Sequence, residues 1–234
     1  MMSREVNERT MKALLLGVLI LVTTVSVCGQ GLTITMKETG PAGQTAPTMQ
    51  IDRTKGRLDI PSLLSQVLYD SETKTLRVLV PFTKTYREYT PASIQSSAAT
   101  GRGQPALAKI TYKRTGTSKV KDWACTTYDG FRGSEKVVEV CAAEGKAIGL
   151  TRADFTLIQE AIDMTKAIAP AEIVERIPIY GNVANQGFAG FPVRRVSYRG
   201  DKPDVTTELV DFKREAVPAS TFALPAGFNK VQEK

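Results

Sequence analysis

Hydrophobic and polar residues alternate through most of this chain, and the alternation gives way to a helical period at one stretch. GLTITMKETG, residues 31–40, sets Leu32, Ile34 and Met36 against threonines, the pattern of a strand with one buried face. After a Gly-, Pro- and Thr-rich connection at 41–48, TMQIDR and RLDIP flank turn residues 54–56, and VLYD and TLRVLVP flank a turn at 71–73. TKTYREYT adds a short strand carrying Tyr86 and Tyr89. Strands this closely spaced predict an antiparallel meander. Residues 91–106, PASIQSSAATGRGQPA, hold almost no large apolar side chain and read as a flexible surface loop within the domain. Strand grammar resumes with LAKITYKR, a turn at TGTS, and VKDWACTTY.

The organising stretch runs from Trp123 to Pro170. In WACTTYDGFRGSEKVVEVCAA the turn formers Asp129, Gly130, Gly133 and Ser134 separate two runs rich in β-branched and aromatic residues, which predicts a hairpin with a cysteine in each strand. Gly133 lies midway between Cys125 and Cys141. Symmetrical pairing would set the cysteines opposite each other, at Cα separations of about 4.5 to 5.5 Å, within reach of a disulfide. A bulge in the turn would offset them, and two buried free thiols are the alternative. Next, Thr151 with Asp154 resembles a capping box with Asp in place of Glu, and Pro170 gives a stop, so a helix is predicted over 152–168. Leu157, Ile158, Ala161, Ile162, Met164, Thr165 and Ile168 share one half of its wheel; Gln159, Glu160, Asp163 and Lys166 share the other. The apolar half either packs permanently on a sheet or forms a lid over a cavity.

Beyond the helix, residues 171–190 are ambiguous, with glycines and asparagines marking irregular backbone. FPVRRVSYRG and VTTELVDFKR then read as two strands joined by a Gly-Pro turn, and VPASTFALPAGF as a closing loop with Phe222, Leu224 and Phe228 left to bury.

The N-terminus changes the picture. Lys12 precedes an apolar run, residues 13–27, too short for a membrane span of about 20 residues and shaped like a signal peptide. Residues 1–29 are therefore set apart from the fold, with cleavage expected after Gly29; lipid attachment at Cys28 is disfavoured by the branched Val27 before it. What remains, 30–234, is long enough for a single domain. The removed segment holds three basic and two acidic residues, so the formal charge falls from +7 to +6. Cys125 and Cys141 are then the only cysteines left, and in an exported chain an even pair makes a disulfide the default reading.

In order of parts, the chain resembles the exported LolA-like lipoprotein-carrier superfamily and its uncharacterised bacterial members. The resemblance rests on the opening strand, RLDI with VLYD and VPFTKTYREY, the Trp123 to Cys141 hairpin, the helix after GLTRADF, GFPVRRVSY and the closing VPASTFALPAGF. It covers nearly all of residues 30–234 through short, degenerate motifs. It implies a mainly β (α+β) fold: a curved antiparallel sheet, an incomplete β-barrel, with helical segments against its concave face and an apolar cavity between. In characterised relatives that cavity takes acyl chains or other lipids. This chain departs from the pattern in the 91–106 loop and in having one convincing helix. The expected cavity wall is Leu157, Ile158, Ile162 and Met164.

No histidine is present, which removes Ser-His-Asp and Cys-His nucleophilic systems and His-containing zinc sites. Carboxylates such as Asp52, Asp59, Asp70, Glu72, Asp122 and Asp129 sit mostly beside turns, where they cap backbone groups. No P-loop or dinucleotide fingerprint occurs. No catalytic residue, cofactor or metal is therefore expected. Basic strands with aromatics (ITYKR, VRRVSYR, TKTYREY) could line a groove for single-stranded nucleic acid, but export removes that partner, and a solvated sheet face accounts for the alternation equally well. Clustering of Arg57, Arg77, Arg87, Arg194, Arg195 and Arg199 would discriminate these. The expectation is an exported periplasmic or envelope protein, non-enzymatic, binding or carrying an apolar small molecule or lipid, with an anionic membrane surface or another envelope protein as further partners. The alternative is a structural or interaction module of the same fold with a filled core.

Overall fold

Alternation in β1 (Gly31–Gly40) places Leu32, Ile34 and Met36 on one face, and in the computed structural model all three are almost wholly buried. The structure describes residues 31–99, 109–170, 173, 177 and 187–231. The expectations for the signal peptide, for Cys28 and Gly29, and for loop residues 100–106 lie outside these. Among the described residues the strands form one sheet. A short β2 (Gly43–Thr45) folds back on the end of β1, and β3 (Thr48–Asp52), β4 (Lys55–Ile60), β5 (Ser65–Asp70), β6 (Thr75–Val80) and β7 (Thr85–Tyr89) follow as the predicted meander.

A second run, β8 (Thr111–Val120), β9 (Trp123–Arg132), β10 (Glu135–Ala143), β11 (Phe191–Arg199) and β12 (Lys202–Glu215), returns to pair β12 with the other side of β1. β13 (Asn229–Lys230) lies parallel to β7. The order β13-β7-β6-β5-β4-β3-β1-β12-β11-β10-β9-β8 leaves β8 at one edge and β13 at the other, so the sheet is curved and unclosed, as expected.

Cross-strand partners build the concave core: Ile34 faces Met49, Met49 faces Leu58, Leu58 faces Val67, and Tyr69 faces Leu76. The helix α2 (Arg152–Ile168) covers these residues with Leu157, Ile158 and Ile162, all within the same buried cluster. Its bounds are those predicted from the apolar period and the caps.

The opposite face of the meander carries Arg57, Leu68, Arg77 and Leu79 by alternation. Leu68 and Leu79 are nonetheless buried. The chain's last segment crosses there: the Arg57 guanidinium donates to the Thr221 carbonyl at 3.1 Å, and Lys230 pairs with Glu88 at 2.8 Å. Phe222, Leu224 and Phe228 on this strap are half-buried. Farther along the sheet a separate cluster forms from Val138, Val140, Ala142 and Phe188, whose ring meets Tyr112 edge-on at 4.8 Å.

Three expectations are corrected. Residues 91–99 are not loop but a helix, α1 (Pro91–Ala99). Its start is secured by a reciprocal pair in which the Ser93 N–H donates to Thr90 Oγ1 and the Thr90 N–H to Ser93 Oγ, with Pro91 following. Small residues that looked like linker composition include good helix formers, and Ile94 anchors α1 to the core. The chain thus has a second helix. TGTS is not a turn either: β8 runs through it with a bulge between Arg114 and Gly116, and the turn comes at Lys121, which takes a φ of 49°.

Third, the cysteines are not directly opposite. The turn is centred between Gly133 and Ser134, with Arg132 facing Glu135, and a bulge between Lys136 and Val138 shifts the register by one more residue, so that Cys141 faces Thr127 and Cys125 lies two residues farther along the same face. Their Cα atoms are still 5.4 Å apart and the disulfide is formed, buried in the main core.

Candidate functional site

The helix that could form a lid is fixed first at its N-terminus. The Thr151 N–H donates to Asp154 Oδ2 at 2.7 Å and the Asp154 N–H to Thr151 Oγ1 at 3.2 Å, so Asp completes the capping box. Asp154 is buried and pairs with Arg214 of β12, which ties the start of α2 to the centre of the sheet. The chain enters through Gly149 at a φ of +79°, where a Cβ would stand 2.9 Å from the Phe212 ring; both conditions call for glycine.

Midway along α2 a second attachment forms. Glu160 accepts from Lys74 Nζ at 2.7 Å and from the Tyr69 hydroxyl at 2.9 Å. The bond from Lys74 holds the Glu160 carboxyl below its ordinary range against the opposing effect of burial, and the Tyr69 bond adds to it. Burial, then Glu160, pushes the Tyr69 phenol well above its ordinary value. The helical wheel assigns Glu160 to the solvated half of α2. Its role at the rim depends on which strand turn faces the helix, which local periodicity does not encode.

Between α2 and β3–β5 lies a cavity of about 40 Å3. Leu157, Ile158 and Ile162 line it from the helix, and Met49, Ile51 and Val67 from the sheet. Met164, expected on this wall, packs against the core but is not among the lining residues. Ala161, Thr165 and Ile177 line it instead. Thr165 donates its hydroxyl back to the Ala161 carbonyl at 2.7 Å and the Tyr69 hydroxyl donates to Glu160, so the wall's hydroxyls are already engaged. Among the described residues Thr33 Oγ1 is the one buried side-chain polar atom without a partner, and Thr33 does not line the cavity. The chamber is chemically apolar. A water needs about 10–15 Å3 and sites for drug-sized ligands occupy about 300–1,000 Å3, so at this volume the space admits a few methyl groups and no acyl chain.

The six arginines do not gather. Arg57, Arg77 and Arg87 lie on β4, β6 and β7, whereas Arg194, Arg195 and Arg199 lie on β11, with β3, β1 and β12 between in the sheet order. Arg57 pairs with Asp59, Arg77 with Glu88, Arg194 with Glu139 and Arg199 with Asp204. Four of the six are thus held in carboxylate pairs. Among the described residues no cluster of potential metal ligands occurs, and no helix is long and apolar enough to cross a membrane.

A family model described as a domain of unknown function, DUF4412, matches residues 31–228. The chain belongs to this family. A search of curated proteins finds no match. Among solved structures, this DUF4412 chain is similar to an uncharacterized conserved protein from Thermus thermophilus, at 10% identity and a TM-score of 0.49, covering 88% of this chain and 91% of that one. It is also similar to a LolA superfamily protein from Nitrosomonas europaea, at 8% identity and a TM-score of 0.26, covering 83% and 89%. The superfamily that the order of parts resembles is thus among the matches. At these scores neither likeness bears on what the DUF4412 chain binds.

Proposed function

We propose that this DUF4412 protein is an exported, non-enzymatic binder or carrier of an apolar molecule, a lipid or acyl chain, received between α2 and the concave face of the sheet. The observation that carries this reading is the chamber's chemistry: aliphatic walls from both layers, with the neighbouring hydroxyls already engaged, leave nothing for a polar ligand to bond. The buried Cys125–Cys141 disulfide supports an oxidising compartment. Since the chamber is small, binding requires α2 to rise from β3–β6 about its tethered N-terminus. The bonds from Tyr69 and Lys74 to Glu160 are then the latch that resists opening.

The small volume favours a second reading, a filled core serving a structural or interaction module. Organic extraction of protein purified from its native host, with mass spectrometry of the extract, and titration with a fluorescent fatty acyl probe separate the two. The carrier reading expects co-purifying lipid or saturable probe binding, tighter in Glu160→Ala, where the latch is gone, and weaker in Ile162→Asp, provided circular dichroism shows that variant folded. Absence of both lipid and probe binding in the wild type and in Glu160→Ala would leave the filled-core reading.

A further inference from the structure

Two neighbouring loop tips are out of keeping with the rest of the surface. Ile60 pairs with Ser65, Gln66 with Leu79 and Val80 with Thr85, so the connections at 61–64 and 81–84 leave the same end of adjacent hairpins. Phe82 is 92% exposed, Leu64 71% and Val80 37%, and the prolines Pro61 and Pro81 beside them are exposed too. Side chains this apolar are normally folded under a tip, and here they project from it.

Leu64 is unusual in a second way. Its φ of 50° is one that bulky L-residues avoid. Among the described residues the other non-glycine positions with positive φ are Arg53, Lys74, Lys84 and Lys121, all basic. At this one tip the position is held by an aliphatic residue. Over 60–68 and 79–86 the only ionisable side chain besides Tyr86 is Lys84, and Asp59, just before this span, is paired with Arg57, so the cation of this apolar point is Lys84.

We propose that this end of the sheet docks reversibly on anionic phospholipid bilayers, with Leu64 and Phe82 entering the acyl region and Lys84 meeting the headgroups. A protein partner needs a complementary rim around its anchors to exclude water. Two narrow tips offer no such rim, and a fluid bilayer closes around them without one. The net positive charge of the chain draws it to the same surface. With two large apolar anchors and one adjacent cation, binding is weak and reversible, in the regime where a second signal decides residence. This docking uses a different end of the fold from the Glu160 latch and stands whether or not the chamber under α2 takes a ligand.

The test is flotation of the full chain with vesicles of phosphatidylcholine alone and of phosphatidylcholine with phosphatidylglycerol. The wild type is expected with the anionic vesicles, less so at high salt, and Leu64→Ser/Phe82→Ser is expected to lower the partition coefficient by at least about tenfold, equivalent to about 1.4 kcal/mol. Both side chains are exposed, so the double variant should melt with the wild type, which keeps a loss of docking distinct from a loss of fold. In Phe82→Trp, emission should shift to the blue on adding anionic vesicles, while Trp123, the native tryptophan, supplies the baseline. The proposal is overturned if the wild type stays with the soluble fraction, if the double variant floats equally well, or if the emission of Phe82→Trp does not move. Sedimentation showing a dimer that Leu64→Ser/Phe82→Ser abolishes would also overturn it, by making a second copy the occupant.

Discussion

Reducing the Cys125–Cys141 bond removes a cross-link without removing an atom from the core, so it isolates the contribution of chain connectivity. The cysteines are 16 positions apart. A loop of that length restricts the denatured chain by about 3 kcal/mol in the chain-entropy model. For a domain of this size, each 1 kcal/mol moves the midpoint by about 2–4 °C, so a thermal scan in reductant should melt about 6–12 °C below one without it. Residual hairpin in the denatured ensemble would reduce the difference. Cys125 and Cys141 are 6% and 1% exposed, so the folded protein should resist reductant and the bond should be cut as the chain opens. Cys125→Ala/Cys141→Ala should melt lower still, because it also empties the space the sulfurs fill, and reductant should leave its midpoint unchanged. Two results would refute this reasoning: free, alkylatable thiols in the oxidised protein, or an unshifted midpoint in scans where thiol titration shows both cysteines reduced.

Asp154→Ala removes the capping box and leaves half-buried Arg214 without its carboxylate; a loss of at least about 1–2 kcal/mol is expected in denaturant titration. Glu160 has its folded value below the ordinary carboxylate value of about 4.3, so its latch stabilises above that pH and is lost as pH falls through the folded value. The stability advantage of wild type over Glu160→Gln should therefore be full at neutral pH and vanish in acid, and a difference independent of pH would contradict the ionic latch. Intact-mass measurement of the exported protein should give a chain beginning at Gln30; a diacylated Cys28 would replace diffusion by anchoring.

Much of the meander was legible because each strand has one buried face: Leu32, Ile34, Met49, Ile51 and Leu58 announce themselves by period two, and Leu157, Ile158 and Ile162 by a helical period. Turns with a chemical signature, such as Gly133 at a φ of 63°, were equally clear. The 91–99 helix was hidden because Thr90 and Ser93 cap it with two hydroxyls where the familiar pattern has a longer Glu or Gln. The offset of the cysteines depends on a turn centred between Gly133 and Ser134 and on one bulged residue, Val137, whose identity does not mark it as one. The rim contacts of Glu160 join residues 86 and 91 positions away, and volume under a helix depends on how closely two layers approach. Neither is a local property of sequence.

The central position of β1 also governs the order in which the molecule can assemble. The meander β1–β7 forms from neighbours in sequence and the run β8–β11 from consecutive strands with α2 inserted before β11, but among the strands only β12 joins the two, by pairing with β1. Until that late strand arrives the nascent molecule is two half-sheets, each with an unsatisfied border, and the closing contacts span as much as the 184 positions between Gly31 and Glu215. Such distant closure slows folding and prolongs exposure of sticky borders. A chain cut before residue 202 would therefore be expected to aggregate, and not to survive as a smaller version of the same protein.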